Sequence, residues 1–194
     1  MLELGSFDDA RRKVLADARK SLTGLHRLMA EPAESIDDTV QLLAGIRRQV
    51  QEHLNHIQHQ QMIVCAAEWL VRHGVAGVPL RWLWNPRQSG ERGAPDLVGL
   101  EGEAVRVCAE VSAVDEPVGV VDTQMRRGLT RLAAMEGRRF YFVRSVSMKR
   151  RAVTKVVKGG WDIAVVQIAL QPETQLLPRV SALSLAGASL AGNR

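Results

Sequence analysis

The spacing of apolar residues changes near Gly74, and this change constrains the fold more than any other feature of the sequence. Before Gly74, apolar positions recur every three to four residues, which is the period of one face of an α-helix. After Gly74, apolar residues form short runs separated by turn formers, which indicates strands and shorter helices. The chain is therefore predicted to join a helical first part to an α/β second part.

Two long helices are predicted in the first part. The first spans residues 7–30 and stops before Pro32, which cannot continue a helix. The second begins near Ser35, with Asp37 and Asp38 in its first turn, where carboxylates favour the helix dipole. Its apolar stripe has a period close to 3.5 residues and consists of Ile36, Val40, Leu43, Ile46, Val50, Leu54 and Ile57. Two such helices form an αα-hairpin, and each stripe requires the other helix, the core or a second copy as its partner.

The second part is predicted to follow the order helix, three strands, helix, strand. The second helix continues to Gly74, and a tight EGE turn at residues 101–103 makes a β-hairpin of the flanking segments. The remaining elements are a strand at 81–84, a loop at 85–94, a helix at 122–136, a strand at 139–145, a helix at 147–158 and a strand at 161–168. The predicted domains are a helical hairpin (1–56), a core (57–168) and a C-terminal tail (169–194), which is too apolar for a plain disordered segment.

Two acidic residues of the predicted β-hairpin, Asp96 and Glu110, form the candidate site. The hairpin register places them opposite or diagonal to each other, with both side chains on the same face of the sheet. Opposed Cβ atoms are roughly 5 Å apart, and two carboxylates that close repel each other strongly unless a cation lies between them. Oxygen ligands favour Mg²⁺ or Mn²⁺. In the alternative, Asp96 merely follows a proline in a turn and Glu110 lines a solvent-exposed sheet face.

These residues carry a resemblance to a known superfamily. A Pro-Asp pair ending at Asp96, thirteen intervening residues, and Glu110-Val111-Ser112 resemble the PD-(D/E)XK nuclease motif, with serine in the lysine position. The predicted element order over residues 57–168 is similar to the restriction-endonuclease-like αβββαβ core, a mixed sheet flanked by helices, here preceded by a helical hairpin. The resemblance implies a metal-dependent phosphodiesterase acting on DNA, or less often RNA, with Asp96, Glu110 and the backbone carbonyl of Val111 as metal ligands.

The resemblance adds two residues by their position. Glu68, on the helix before the sheet, corresponds to an additional metal-site glutamate of many members, although Arg72 offers it a salt bridge instead. Gln124, early in the helix after the third strand, corresponds to a residue that positions substrate or water. Because Ser112 cannot supply the positive charge that the family's lysine directs at the phosphate, either Gln124 or a late-helix Lys or Arg replaces the lysine, or catalysis has been lost.

Positive charge is concentrated in residues 126–158, which contain eleven lysines and arginines and one acid, Glu136. Residues 1–125, in contrast, contain thirteen basic and eighteen acidic residues. Such an excess is typical of a phosphate-binding face, although a solvated arginine-rich helical surface is the alternative. The residues predicted to contact DNA lie on the two late helices and are Arg126, Arg127, Lys149, Arg150 and Arg151.

Other sequence features narrow the class of protein. No apolar run reaches 18 residues and the N-terminus lacks an apolar signal region, so neither a membrane span nor a secretion signal is expected. Cys65 and Cys108 lack CxxC spacing, which argues against a disulfide framework or a cysteine-based zinc site and favours a reducing cytoplasm. His53, His56 and His59 recur every third residue and are interpreted as ordinary polar-face histidines.

The sequence therefore predicts a cytoplasmic, Mg²⁺- or Mn²⁺-dependent deoxyribonuclease of a restriction, defence or repair system. Its N-terminal helices are predicted to contact a second copy or a partner protein. Two further hypotheses stay open. One is a catalytically silent nuclease-fold subunit that binds nucleic acid or a partner protein. The other is a helical-hairpin assembly factor with a structural C-terminal domain.

Overall fold

The computed structural model describes residues 1–75, 77–86 and 93–168, which form an α/β fold. The helices are α1 (Phe7–Met29), α2 (Ile36–Arg72), α3 (Val120–Ala133) and α4 (Val146–Gly159). The strands are β1 (Leu2–Glu3), β2 (Arg81–Trp84), β3 (Leu97–Glu101), β4 (Ala104–Ser112), β5 (Arg138–Val143) and β6 (Ala164–Gln167). They make one mixed sheet in the order β1-β2-β3-β4-β5-β6. The prediction of an α/β fold with helices flanking a mixed sheet is confirmed.

The two N-terminal helices begin at side-chain caps encoded locally in the sequence. The Ser6 hydroxyl accepts a hydrogen bond from the backbone N–H of Asp9 (3.1 Å) at the start of α1. At the start of α2, Ser35 accepts from the N–H of Asp38 (3.1 Å), and the Asp38 carboxylate accepts from the N–H of Ser35 (3.1 Å), which completes a capping box. α2 then runs unbroken for 37 residues, about 55 Å. The predicted boundary at residues 56–57 therefore falls inside one continuous helix.

α1 packs against α2 through small and polar side chains, and this contact leaves most of the predicted α2 stripe uncovered. Gly24 lies directly against the Gln49 side chain, and Gln60 Nε2 donates to Asp17 Oδ2 (3.0 Å). Five residues of the stripe remain exposed, and they are Ile36, Val40, Leu43, Val50 and Leu54. α1 is therefore not the partner that the stripe requires.

The sheet separates two apolar clusters, one under each helical layer. β1 to β4 pair antiparallel, whereas β4, β5 and β6 run parallel. The last four turns of α2 bury Ile63, Ala66 and Leu70 against one face of the sheet. α3 and α4 cover the opposite face, where Leu129 and Met148 are fully buried. Burial on both faces explains why β4 and β5 are largely apolar sequences.

The predicted β-hairpin has the register that the sequence indicated. Leu97 pairs with Ala109 and Val98 with Cys108, and a bulge between Gly99 and Leu100 shifts the pairing nearer the turn. The predicted loop at 85–94 lies partly outside the described residues, and the predicted tail at 169–194 lies wholly outside them. No helix in the described part of the chain combines the length and apolar character needed to cross a membrane.

Candidate active site

The candidate site lies at the sheet edge where the parallel strands β4, β5 and β6 end. Because β3 runs antiparallel to β4, Asp96, which directly precedes β3, is brought to this same edge. The backbone N–H of Asn85 donates to the carbonyl of Asp96 (2.8 Å) and continues the β2–β3 ladder to this point. One step beyond the Leu97–Ala109 pair, Asp96 lies opposite Glu110. Open α/β sheets bind ligands outside the carboxyl ends of their parallel strands.

Asp96 is buried, and both of its carboxylate oxygens have partners. Oδ1 lies 3.1 Å from Nε2 of His59, a buried histidine of α2. Oδ2 accepts a hydrogen bond from the backbone N–H of Val111 (2.9 Å), the residue that follows Glu110 on β4. These contacts fix the rotamer of Asp96 and aim it at the neighbouring strand.

Glu110 is 5% exposed and pairs with a cation from α3. Its Oε1 accepts from Arg131 Nε (2.7 Å) and lies 2.6 Å from Arg131 Nη2. Because both guanidinium nitrogens contact the same oxygen, Arg131 fixes the position of Oε1. The Arg131 side chain is 39% exposed, so it spans from the buried carboxylate to solvent.

The two carboxyl groups interact directly, and the pKa of Glu110 records that interaction. Burial, followed by the negative charge of Asp96, raises this pKa to about 8 against the ordinary 4.5, and a hydrogen bond with Asp96 adds to the effect. Arg131 acts in the opposite direction but does not offset it. Without a cation, Glu110 therefore keeps its proton at neutral pH.

A cavity of about 990 Å³ opens beside the carboxylates. Ser112 and Gln124, two of the residues that the sequence assigns to the site, both line it. The Ser112 hydroxyl hydrogen-bonds the phenol of Tyr141, whose pKa is raised mainly by burial. The polar residues lining the cavity from other elements are Asn55, Gln58, His59, Asn85, Asp115 and Arg131.

Glu68 does not reach this site, which corrects its predicted role as a metal ligand. It lies nine residues beyond His59 on α2, about 13 Å along the axis. Its carboxylate pairs with Arg11 of α1 (2.7 Å) and lines a separate pocket. The sequence suggested a salt bridge between Glu68 and Arg72, but in the structure Glu68 pairs with Arg11.

The predicted DNA-contacting residues fall into two groups. Arg151 is held by Asp122, with Nε 2.7 Å from Oδ1 and Nη2 3.2 Å from Oδ2. Lys155 contacts the same carboxylate (3.0 Å), and hydrogen bonds from Arg151 and then Lys155 hold the pKa of Asp122 well below its usual range. The other four are exposed and form no ion pair with the residues described, namely Arg126, Arg127, Lys149 and Arg150.

The chemistry of the donor set fits a hard divalent cation. The carboxylates of Asp96 and Glu110 are buried and in contact, which is the oxygen-rich environment that Mg²⁺ prefers. Within the described ranges, no group of three or more His, Cys, Asp and Glu side chains is arranged to hold a metal.

Comparison with known proteins finds no relative. No family model, curated protein or solved structure matches the chain.

Sequence reasoning missed two residues of the site, His59 and Arg131. Arg131 follows Gln124 by seven residues, two helical turns, so it lies on the same face of α3 as a residue already predicted to be at the site. That spacing could have identified it. His59 carries no comparable signal, because only the packing of α2 across the sheet brings it to Asp96. It is buried and paired, which corrects its interpretation as an ordinary polar-face histidine.

Proposed function

We propose that this chain is a metal-dependent nuclease of the PD-(D/E)XK type that hydrolyses phosphodiester bonds in DNA, in a restriction, defence or repair setting in the cytoplasm. The observation that carries the proposal is the contact of two buried carboxylates, Asp96 and Glu110, at the carboxyl edge of the sheet. The element order around them, from α2 through three strands to α3 and β5, supports it because it follows the nuclease core.

Asp96 and Glu110 would hold Mg²⁺ or Mn²⁺, which when bound polarises the scissile phosphate and lowers the pKa of attached water. The chain's own residues orient these ligands. The Val111 N–H and His59 fix both oxygens of Asp96, and Arg131 fixes Oε1 of Glu110. Because these hydrogen bonds already hold the two carboxyl groups in place, Asp96 and Glu110 need little rearrangement when substrate binds.

Arg131 is the residue that supports catalysis in the absence of the family's lysine. Its guanidinium enters the site from α3, so the positive charge missing at Ser112 is provided by a different element. The pairing with Glu110 uses Nε and Nη2 and does not involve Nη1. With part of its surface in the cavity, Arg131 is available to stabilise charge that builds on the phosphate in the transition state.

DNA would approach the cavity across α3 and α4. Arg127 is exposed and lies three residues after Gln124 and four before Arg131, so it neighbours these two cavity-lining residues on α3. Arg126, Lys149 and Arg150 are the other exposed basic residues that the sequence predicts to contact DNA. Contacts of this kind bind phosphates without reading base sequence.

A plasmid-cleavage assay in Mg²⁺, Mn²⁺ and EDTA tests the proposal. The natural chain is expected to nick or linearise DNA only with a divalent cation. Asp96→Asn and Glu110→Gln are expected to reduce the rate at least about 100-fold, the scale of losing an electrostatic catalytic group. Glu103→Gln, in the turn of the same hairpin and almost fully exposed, serves as the matched control. Cleavage that persists in both site variants would overturn the proposal.

A second candidate function is a nuclease-fold module that binds DNA without cutting it. One observation favours it: Arg131 contacts Oε1 of Glu110 and thereby occupies an oxygen that a cation would use. This module would bind duplex DNA with a strong salt dependence and leave it intact in Mg²⁺ and Mn²⁺. The cleavage assay combined with a binding assay separates the two functions.

A further inference from the structure

The helical hairpin exposes large apolar side chains on both of its helices, and nothing in the described part of the chain covers them. We call the surface that they form the hairpin apolar face. Its α1 residues are Leu15, Leu22 and Met29, and its α2 residues are Ile36, Val40, Leu43, Val50 and Leu54. Their exposed fractions run from 40% at Val50 to 83% at Ile36.

The two stripes lie on the same side of the hairpin. On α1, each residue of this face directly follows a half-buried residue, as Leu22 follows Ser21. On α2, Leu43 and Val50 likewise follow the half-buried residues Leu42 and Gln49. Each residue along an α-helix is rotated by 100° from the one before it. Seen from one end of the hairpin, this rotation is clockwise in one helix and anticlockwise in the other, because the two helices run antiparallel. A residue that follows one facing the other helix is therefore rotated towards the same side of the hairpin in both helices. Both stripes therefore point to the same side.

The size and period of this face match a helix-bundle interface. Eight aliphatic side chains exposing about 100 Å² each present on the order of 800 Å², which exceeds the largest patch of a typical monomer and equals one side of a standard protein interface. Leu15, Leu22 and Met29 are spaced by sevens, and so are Ile36, Leu43 and Val50. This spacing is the heptad period of helices that pack side by side in left-handed bundles.

We propose that a second copy of this chain docks on the hairpin apolar face, antiparallel to the first, to form a four-helix bundle. Each copy brings two helices with heptad stripes on one side, which is the half of a bundle that a twofold axis completes. This inference does not depend on the proposed nuclease function.

Charge decides the orientation. The turn of the hairpin contains four acids and no lysine or arginine between residues 28 and 46, and the acids are Glu31, Glu34, Asp37 and Asp38. Nearer the core, Arg19 forms a basic segment on this side of α1, since it lies three residues before Leu22, is exposed and forms no ion pair with any residue that the structure describes. Antiparallel docking carries the acidic turn of one copy towards this basic segment of the other. Parallel docking would bring eight acids together.

The position of the hairpin leaves room for this arrangement. The buried part of α2 begins at His59, which contacts Asp96 at the edge of the sheet. The 23 residues from Ile36 to Gln58 extend beyond that edge by roughly 35 Å. A second hairpin can therefore dock there without covering the sheet faces.

Light scattering on the full chain tests the proposal. A dimer of twice 21.4 kDa is expected at micromolar concentration. Leu22→Glu combined with Leu43→Glu is expected to raise the dimer dissociation constant at least 100-fold. The matched control combines Ala16→Glu with Gln41→Glu, at exposed positions outside the face on the same two helices, and is expected to change it less than threefold. Circular dichroism verifies that both variants keep their helices.

Two further outcomes would overturn the proposal. A monomer at all concentrations does so, and amide exchange then shows whether residues 36–54 are protected from within the chain or left open to a partner of another class. Oxidation of an Ala33→Cys variant tests orientation, with the natural chain as control for its own cysteines. A dimer that stays uncrosslinked supports the antiparallel arrangement, whereas a covalent dimer through the hairpin turns refutes it.

Discussion

The pKa of Glu110 is raised by some of its neighbours and lowered by others. Burial and the charge of Asp96 favour its protonated form, while Arg131 favours its carboxylate. A structural glutamate with one salt bridge has no need of a second buried acid beside it. The combination is common where a protein binds a cation or moves a proton, because such work requires groups whose pKa values are strongly shifted.

The raised pKa of Glu110 makes the stability of the cation-free protein depend on pH. The folded state holds the proton up to about pH 8, whereas the unfolded chain releases it near the ordinary 4.5. The stability that the bound proton gives to the folded state is thus fully present below pH 4.5 and is lost as the pH rises towards 8. The free energy of unfolding in EDTA, measured with urea, is expected to fall by a few kcal/mol over this range, at about 1.4 kcal/mol per pKa unit.

The variant Glu110→Gln cannot ionise, so its stability is expected to change much less between pH 5 and 8. Glu103→Gln is the control, because its side chain is almost fully exposed on the same hairpin, and it is expected to keep the slope of the natural chain. Equal slopes for the natural chain and Glu110→Gln would contradict the assignment.

Arg131 and Ser112 yield a prediction about catalysis. Arg131→Ala is expected to reduce cleavage about 10²–10³-fold, the scale of losing one preorganised charge at a transition state. Ser112→Lys alone is expected to be neutral or mildly harmful, since the site is organised around Arg131. Added to Arg131→Ala, it is expected to restore part of the activity, because it places a cation where PD-(D/E)XK nucleases carry their lysine.

The measurement is the single-turnover rate of plasmid cleavage in Mg²⁺. Arg106→Ala is the control, since Arg106 pairs with Glu101 away from the cavity. If Arg131→Ala cleaves as fast as the natural chain, Arg131 serves only to neutralise Glu110.

At the scale of elements, Asp122 of α3 forms salt bridges to α4, and these salt bridges reduce the number of basic side chains free to contact DNA. Arg151 and Lys155 of α4 both point at that one carboxylate of α3. The positive surface predicted from the sequence is therefore smaller than the count of basic residues suggests. Periodicity assigned these residues to two helices, but it could not reveal that the helices lie side by side with their charges partly paired.

Releasing these two cations is expected to strengthen DNA binding. Asp122→Asn removes the charge that holds Arg151 and Lys155, so affinity for duplex DNA should rise and its salt dependence should steepen, by about −0.9 in the slope of log K against log[salt] per added phosphate contact. Fluorescence anisotropy at salt concentrations between about 50 and 300 mM measures both the affinity and its salt dependence, because counterion release weakens binding over this range.

Asp162→Asn is the control for this experiment, because Asp162 is exposed and lies 3.6 Å from Arg139. It removes the same charge from the surface without releasing α4. If both variants change the slope equally, net charge alone determines binding and the pairing at Asp122 has no specific effect.

For the whole molecule, the sequence predicted what depends on neighbours in the chain. Caps, helix periods and the tight turn after Glu101 are local, so the elements and the Asp96–Glu110 register followed from them. Contacts between distant segments did not follow. Glu68 pairs with Arg11, 57 residues earlier, and His59 meets Asp96, 37 residues later, because of how α1 and α2 dock on the sheet. No repeat or spacing in the sequence encodes those docking angles.

His59 connects the hairpin to the site, and its removal is expected to loosen Asp96. His59→Ala takes away the partner of Oδ1 but leaves the Val111 N–H on Oδ2. We expect cleavage to fall about tenfold or more, within the 10–100-fold scale of losing a residue that orients a metal ligand. His53→Ala, on the same helix and exposed, is the control. Equal activity of the two variants would exclude a positioning role for His59.

The unbroken course of α2 determines where this protein can be cut. A helix end leaves its first four amide groups without intrahelical acceptors, and such ends fray. A fragment beginning at residue 57 would place that fraying end on His59 and Gln60, the very residues that hold Asp96 and contact Pro86. Trimming to residue 57 would thus remove β1 together with the hairpin, and it would also disorder the edge of the sheet that carries Asp96 and Glu110, although both residues lie far beyond the cut. The part of α2 before residue 57 is therefore expected to stabilise the contacts that His59 and Gln60 make at the candidate site.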